Sequence, residues 1–232
     1  MKAMILCAGY GKRLNPLTLN CPKPLLKIGN ETLLSNTIKF LEHFGIKHVV
    51  INVHYLSNQI EEYIKKNKFN LSISIVKEEN NILDTGGGVL NAIKHFANES
   101  FLIINPDTIW NLKYVKELKL MEKIFFSDKK NKCLMLVVNK AKSFDINFKG
   151  DFNLENKFIN RKKEDDLKYI YTGLQIVNPE VFSNLNDKVF SINLIWDKLI
   201  QNNELLGMES NINFLHVSTL EIYKNLLKNF KH

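Results

Sequence analysis

The chain has 232 residues, of which 45% are hydrophobic, and a formal net charge of +8 at pH 7. This length fits one α/β domain that can bury a substantial core without disulfides or metals, and the three cysteines lack the CxxC spacing of a zinc ribbon. No apolar run reaches the roughly 18 residues of a membrane span, and the apolar segment before Gly9 is too short for a signal peptide. Basic and aromatic residues are not interleaved as in nucleic-acid-binding proteins. We therefore expect a cytoplasmic protein that acts on small anionic molecules, with no membrane or nucleic-acid partner.

Strand-like and helix-like segments alternate through the first half of the chain. The alternation predicts a Rossmann-like, mostly parallel mixed sheet with helices on both faces. Gly45 is a natural stop for the first helix. Apolar periodicity predicts strands at 2–7, 48–53, 71–76 and 101–105, and helices at 31–44, 57–66 and 87–96.

The second half is less regular. Ser218 and Glu221 have the spacing of a capping box for a last helix. No internal repeat or linker interrupts the chain, so we expect one domain. The sequence predicts helices at 111–124 and 191–202, strands at 133–139, 169–177 (interrupted at Gly173) and 213–217, and short strands and turns over 143–160.

The segment AGYGKRL after the first strand has the properties of a phosphate-binding loop. It lacks the GK[ST] of a Walker loop and the third glycine of a dinucleotide fingerprint. Gly9 and Gly11 nonetheless permit a tight turn whose amides form an anion nest. Lys12 and Arg13 add positive charge, and Arg13 can bind phosphate oxygens bidentately. The loop therefore predicts a polyphosphate ligand.

Lys23 stands between Pro22 and Pro24. Each proline fixes its own φ and restrains the residue before it. Lys23 is therefore presented from a stiff support, and it loses less conformational entropy on meeting a polyphosphate than a lysine on a flexible loop would.

GYGKRLNPLT…PKPL resembles the signature G-x-G-x-R-(L/M)-x-P-L-T…P-K-P-(L/M) of the nucleotidyltransferases that make NDP-sugars from an NTP and a sugar 1-phosphate. The resemblance continues through ILDTGGG at 82–88, NPD at 105–107 and YTGLQIV at 171–177, and more weakly through HVSTLE at 216–221. It covers nearly the whole chain.

This resemblance implies a single GT-A-like domain over 1–232, with a nucleotide-binding half (1–110) and a sugar-phosphate-binding half (111–232). It implies a monomer or small homo-oligomer whose partners are an NTP and a sugar 1-phosphate. The short length, L-(D/E)-T-G-G-G and the GDF tripeptide at 150–152 are most similar to members that transfer UMP from UTP to N-acetylmuramate α-1-phosphate in peptidoglycan recycling. GTP with mannose 1-phosphate, CTP with phosphocholine, and a catalytically silent nucleotide-sugar sensor stay open as alternatives.

The resemblance also implies roles for individual residues. It makes Arg13, Lys23 and Asp107 catalytic, with Asp107 and His216 at the position of a metal ion, Mg²⁺ or alternatively Mn²⁺. The nucleotide contacts that it implies are Ala8, Gly9, Gly11, Lys12, Arg13, Lys23, Glu79, Gly86 and Gly87. The substrate contacts that it implies are Asp84, Thr85, Asn105, Asp151, Tyr171, Thr172 and Gly173.

Two of these positions have features of their own. Asp107 follows a buried strand at its carboxyl end, where ligands bind in open parallel sheets, but Pro106 stands where the family usually has glycine. His216 stands where the family commonly has its second metal-binding Asp, and imidazole suits Zn²⁺ or Mn²⁺ better than Mg²⁺. Metal ligation, a hydrogen bond to phosphate and simple packing remain three alternatives for His216.

Three consecutive glycines, 86–88, lie at the start of the predicted third helix. Glycines cost conformational entropy at a helix start, so we expect them to allow the close approach of a ligand.

Overall fold

A nine-stranded mixed sheet forms the centre of the computed structural model, which describes residues 1–161, 166–183, 185 and 187–230. A separate two-stranded ribbon, β2–β3, leads into the first helix. The strands are β1 (Ala3–Leu6), β2 (Lys27–Ile28), β3 (Glu31–Thr32), β4 (His48–Val53), β5 (Ser72–Lys77), β6 (Phe101–Ile104), β7 (Cys133–Asn139), β8 (Asn153–Glu155), β9 (Phe158–Asn160), β10 (Tyr169–Val177) and β11 (Leu205–Ser210).

The sheet has the order β5-β4-β1-β6-β10-β7-β11-β9-β8. Strands β5, β4, β1 and β6 run parallel, so their carboxyl ends meet at one edge, which we call the carboxyl edge. Strand β10 is antiparallel to both β6 and β7, and the pairing of Leu174 with Ile104 places the start of β10 at that same edge. The antiparallel strand thus brings the second half of the chain to the carboxyl ends of the first.

Helices cover both faces of the sheet, as the sequence predicts. Helices α1, α2 and α4 pack on one face and α3 and α5 on the other, and alternate residues of β1 enter the two cores, Ala3 and Ile5 on one side and Met4 on the other. None of the described helices is long and apolar enough to cross a membrane. The helices are α1 (Leu33–Phe44), α2 (Ser57–Lys66), α3 (Asp84–Ala92), α4 (Lys113–Phe126), α5 (Asn193–Gln201) and α6 (Leu220–Asn229).

Most predicted elements are confirmed to within two or three residues. Gly45 ends α1 at φ 100°, and its amide donates to carbonyls of the last turn. At Gly173, φ is 90° and the register of β10 against β7 shifts between Tyr171 and Leu174, so the predicted interruption of this strand is a bulge.

Two predictions of local structure are wrong, and one helix start is shifted. Residues 213–217 form only isolated bridges, and the strand in this region is β11, which the alternation did not reveal because Gly207 and Glu209 break its apolar pattern. Thr219, not Ser218, caps α6 by accepting a hydrogen bond from the Ile222 amide. The Ser218 hydroxyl instead donates to Asp145 at 2.7 Å. The third helix begins at Asp84, three residues earlier than predicted.

Candidate active site

A cavity of about 440 Å³ opens at the carboxyl edge, and we call it the loop cavity. Its walls are the loop after β1, the Lys23 segment, the start of α3 and the turn after β6. Ten residues that the sequence predicted as site residues line it: Ala8, Gly9, Gly11, Lys12, Arg13, Lys23, Asp84, Thr85, Asn105 and Asp107.

The loop after β1 is held in a defined shape. Gly11 has φ 66°, and a Cβ there would meet Thr18 at 3.0 Å and Lys23 at 3.1 Å. The Thr18 hydroxyl donates to the Gly11 carbonyl at 2.9 Å, and buried Leu14 anchors the short helical turn that follows. Lys12 and Arg13 remain at least partly exposed and form no ion pair within the described part of the chain. Their positive charge is therefore available to an anionic ligand.

Lys23, Asp107 and His216 meet at one carboxylate oxygen. The Lys23 Nζ lies 2.5 Å and the His216 Nε2 lies 3.1 Å from Asp107 Oδ2. All three side chains are less than one fifth exposed. Burial alone would raise the pKa of Asp107, but Lys23 and then His216 outweigh it and hold that pKa well below its ordinary value. Asp107 is therefore ionised at neutral pH.

Main-chain pairing brings His216 to this place. The Val217 amide donates to the Asp107 carbonyl, and the Ile109 amide donates to the Leu215 carbonyl, both at 2.8 Å. The His216 ring stacks on Phe214 with centroids 5.5 Å apart and planes at 9°. His216 therefore packs on Phe214 and also contacts Asp107.

The residues present fit a divalent cation that takes few ligands from the protein. Asp107 Oδ1 is buried and makes no hydrogen bond within the described residues, and the same is true of His216 Nδ1. The described chain offers no group of three or more His, Cys, Asp or Glu side chains suited to a metal ion. Mg²⁺ commonly takes one or two carboxylates and completes its shell with phosphate oxygens and water, so a single carboxylate with an unpartnered oxygen suits it.

A second cavity of about 220 Å³ adjoins the first and shares Leu6, Asp84, Thr85 and Asn105 with it. We call it the aromatic cavity, because Tyr171 and Trp196 line it with ring centroids 4.9 Å apart. The Tyr171 hydroxyl is buried and has no hydrogen-bond partner among the described residues. Burial raises the pKa of Tyr171, so the hydroxyl stays protonated and able to donate. A buried, unpaired hydroxyl is costly and points to a polar ligand.

The sequence did not identify Gln175, Ser191, Asn193 and Trp196, which complete this cavity. They belong to β10, to the segment before α5 and to α5 itself. Trp196 lies on the apolar face of an amphipathic helix, and its periodicity is that of a core residue, so no local signal marked it.

Asp151, Thr172 and Gly173 support the cavities and do not line them. Asp151 accepts a hydrogen bond from the Tyr171 amide at 3.0 Å, and burial raises the pKa of Asp151. The Thr172 hydroxyl donates to the Leu136 carbonyl at 2.9 Å, away from both cavities. The Gly173 carbonyl accepts from the Asn105 amide at 2.8 Å. These three residues therefore position Tyr171 and Asn105.

Gly86 and Gly87 pack closely against residues 188–190. Their amides both donate to the Phe190 carbonyl at 3.0 Å. A Cβ at Gly86 would lie 2.3 Å from the Phe190 ring, and one at Gly87 would lie 2.2 Å from the Lys188 carbonyl oxygen. The expected close approach is thus made by residues 188–190, which explains both glycines without a ligand. Contact of these glycines with a nucleotide stays a prediction.

Glu79 lies apart from the two cavities. It lines a third, broader cavity of about 920 Å³ together with Gly87. The neighbouring Glu78 lines the same third cavity, but it is buried and contacts Asn52, which lines the loop cavity. Sequence reasoning singled out neither Asn52 nor Glu78, because a polar residue in a strand and one of two adjacent glutamates carry no distinctive spacing.

The chain resembles known proteins over nearly its whole length. The model of a family described as nucleotidyl transferase matches residues 2–189. N-acetylmuramate alpha-1-phosphate uridylyltransferase from Caulobacter vibrioides is 26% identical over 220 residues, which cover 93% of this chain and 90% of that protein. Mannose-1-phosphate guanylyltransferase catalytic subunit beta from Xenopus tropicalis is 29% identical, with 90% of this chain and 59% of that protein covered, so the chain spans less than two thirds of this relative.

A solved structure supports the same fold. The crystal structure of HddC from Yersinia pseudotuberculosis complexed with GMP-PN superposes with a TM-score of 0.77, covers 99% of both chains and is 23% identical. The predicted GT-A-like α/β fold is therefore confirmed.

The packing account of the glycines can be tested on the ligand-free protein. We expect Gly87→Ala to lower the free energy of unfolding by about 1–3 kcal/mol, because its methyl group would displace the Lys188 carbonyl. Thermal and denaturant unfolding measure this loss. Gly9→Ala is the matched control, since a Cβ at Gly9 meets nothing within 4 Å. Equal stability of the two variants would contradict the packing account.

Proposed function

The chain belongs to the nucleotidyl transferase family and is a sugar-1-phosphate nucleotidyltransferase, and on this premise we propose that it joins UTP to N-acetylmuramate α-1-phosphate with release of pyrophosphate. The choice of substrates is supported by the uridylyltransferase relative, which this chain covers over 90% of its length. The observation that carries the proposal is the convergence of the glycine loop, Lys23 and Asp107 on one cavity. We also propose that the enzyme acts in the cytoplasm as a monomer or small homo-oligomer.

The two cavities support a division of labour between the halves of the chain. The described lining of the loop cavity lies entirely between residues 6 and 107, within the proposed nucleotide-binding half. The aromatic cavity adds Tyr171, Gln175, Asn193 and Trp196 from the second half. We assign the triphosphate to the loop cavity and the sugar to the aromatic cavity, where amide, hydroxyl and aromatic groups can bind sugar hydroxyls and ring faces.

The reaction proceeds by attack of an oxygen of the sugar 1-phosphate on the α-phosphorus of the NTP. The new P–O bond forms as the bond to the β-phosphate oxygen breaks, and pyrophosphate leaves. The attacking oxygen is already anionic, so no strong general base is needed, and catalysis consists of alignment and charge stabilisation. Arg13 and the amides of Gly9 and Gly11 hold the polyphosphate. Lys23, oriented by Asp107, stabilises charge at the α-phosphate.

A divalent cation, Mg²⁺ or Mn²⁺, would bind at Asp107, whose Oδ1 has no other partner in the described chain. When bound, the cation would offset negative charge on the phosphate oxygens. His216 lies beside Asp107, and its unpartnered Nδ1 is a candidate second ligand or a donor to phosphate.

Guanylyl transfer to mannose 1-phosphate is a second candidate, because the guanylyltransferase relative is at least as similar in identity as the uridylyltransferase. A matrix of UTP, GTP and CTP against sugar 1-phosphates and phosphocholine, with Mg²⁺ or Mn²⁺, separates the candidates by pyrophosphate release. We expect the highest turnover with UTP and N-acetylmuramate α-1-phosphate. A preference for GTP with mannose 1-phosphate would replace our choice of substrates, and nucleotide binding without pyrophosphate release would indicate a sensor.

Lys23→Ala and Asp107→Asn should each lower kcat by about 10²-fold, which corresponds to ~3 kcal/mol of transition-state stabilisation, because each removes a member of the charged pair. Steady-state pyrophosphate release with the best substrate pair measures the effect. Lys27→Ala is the control, since this nearby lysine side chain is exposed and does not line the loop cavity. If both site variants kept full turnover, the mechanism would be wrong.

His216→Asp should shift the metal preference toward Mg²⁺, because a carboxylate is a harder ligand than imidazole. The measurement is pyrophosphate release across Mg²⁺ and Mn²⁺ concentrations, together with calorimetric titration of each metal into the NTP complex. An unchanged metal profile would show that His216 is not a ligand.

A further inference from the structure

Glu78 is a buried carboxylate that forms no ion pair in the described chain. It lies just past the carboxyl end of β5 and is 3% exposed. Its Oε1 accepts a hydrogen bond from Asn52 Nδ2 at 2.7 Å, and its Oε2 accepts one from the Leu83 amide at 2.8 Å. Both donors are neutral amides, so the contacts of this carboxylate within the described chain are hydrogen bonds and not ion pairs. A buried charge of this kind is costly unless its hydrogen bonds are complete.

The main chain of Glu78 is fixed as firmly as its side chain. Its amide donates to the Val53 carbonyl at 2.9 Å. Its carbonyl lies 2.6 Å from the His54 Nδ1, and because a carbonyl can only accept, that ring nitrogen carries the proton. Residue 78 is thus bound to the end of β4 on one side and to the start of the α3 segment on the other.

Asn52 extends the contact to the glycine loop. It is 3% exposed, and its Oδ1 accepts a hydrogen bond from the Cys7 amide at 3.0 Å. Cys7 immediately precedes the loop that begins at Ala8. An amide donor at Cys7 and a carboxylate acceptor at Glu78 leave only one orientation for the Asn52 amide. The hydrogen bonds therefore run without a break from Cys7 through Asn52 and Glu78 to Leu83.

Gly88 allows α3 to pack directly on this chain of bonds. A Cβ at Gly88 would lie 2.6 Å from Glu78 Oε1 and 2.7 Å from Asn52 Nδ2. The third glycine of the triplet is thus matched to these two side chains, whereas Gly86 and Gly87 are matched to residues 188–190.

The bonds connect two walls of the loop cavity. Cys7 and the glycine loop belong to one wall, Ile82, Asp84 and Thr85 belong to another, and Asn52 lines the cavity as well. We propose that Asn52 and Glu78 are positioning residues that set the distance between these walls and thereby the affinity for the nucleotide. The proposal rests on the proposed function in one respect, namely that the nucleotide binds in the loop cavity. A displacement of about 1 Å in such a wall can cost about 10²-fold in rate.

A reversed pair provides the test. In Glu78→Gln, the new side-chain NH₂ group faces one of the two groups that donate to Glu78, either the Asn52 side chain or the Leu83 amide. In Asn52→Asp, the new carboxylate faces the Glu78 carboxylate. Each single variant therefore breaks the chain of hydrogen bonds. In the double variant N52D/E78Q, the new carboxylate at position 52 accepts from the Cys7 amide and from the new side-chain amide at position 78. The oxygen of that side-chain amide accepts from the Leu83 amide. The double variant therefore retains every hydrogen bond, with the charge moved to the other position.

We expect each single variant to weaken UTP binding about 10-fold, as KM in the transfer assay and as Kd by calorimetry, and the double variant to return to within about threefold of wild type. Asn131→Asp is the matched control. Asn131 lies just before the start of β7, at the edge of the sheet opposite the carboxyl edge, and its side chain donates to the Ile124 and Phe125 carbonyls. Loss of these two hydrogen bonds should lower the melting temperature and leave UTP affinity unchanged.

Single variants that melt earlier but bind UTP as tightly as wild type, in the manner of Asn131→Asp, would show that the pair has only a structural role and would overturn the proposal. A double variant that folds but does not recover UTP affinity would overturn it as well. If the single variants fail to fold, the double variant alone decides between these outcomes. Because UTP binding is measured directly, a wild-type enzyme that binds UTP but transfers it to no sugar phosphate would contradict the proposed function and leave this test intact.

Discussion

The ion pair between Lys23 and Asp107 joins two segments that lie 84 residues apart in the chain. Lys23 comes from a proline-braced turn after the glycine loop, and Asp107 comes from the turn after β6. The pair forms at the carboxyl edge because β1 and β6 are adjacent and parallel, which brings the segments after both strands to one place. The depressed pKa of Asp107 follows from this meeting, since Lys23 and then His216 outweigh the desolvation of a largely buried carboxylate.

Close backbone packing builds the remaining walls of the site. The triplet Gly86–Gly88 lets the start of α3 lie against residues 188–190 on one side and against Asn52 and Glu78 on the other. Asp84, at the first residue of this helix, adopts φ 60° and lines both cavities. A non-glycine residue in the left-handed region is uncommon, and such residues cluster at functional sites where the surroundings fix them. Contacts within the chain therefore hold the start of this helix in place.

The antiparallel strand β10 connects the two halves. Its pairing with β6 aligns Tyr171 with the turn that carries Asn105 and Asp107, and the bulge at Gly173 allows the Asn105 amide to reach the Gly173 carbonyl. The aromatic cavity consequently shares four residues with the loop cavity. Two substrates bound in these cavities would be neighbours, which is what an in-line transfer between them requires.

Local sequence signals determined the parallel half of the fold and the proline-braced turn that carries Lys23, and they predicted a phosphate ligand for the glycine loop, because hydrophobic periodicity, glycine and proline act over a few residues. They did not identify Glu78, Asn52 or Trp196, whose roles depend on partners from other strands and helices. They also left His216 open between three roles, and tertiary structure alone placed its ring beside Asp107 and on Phe214. Tertiary contacts likewise decided the strand β11 and the packing of Gly86 and Gly87. These glycines pack against residues about 100 positions later in the chain, so the residues next to them in the sequence do not indicate why glycine is needed there.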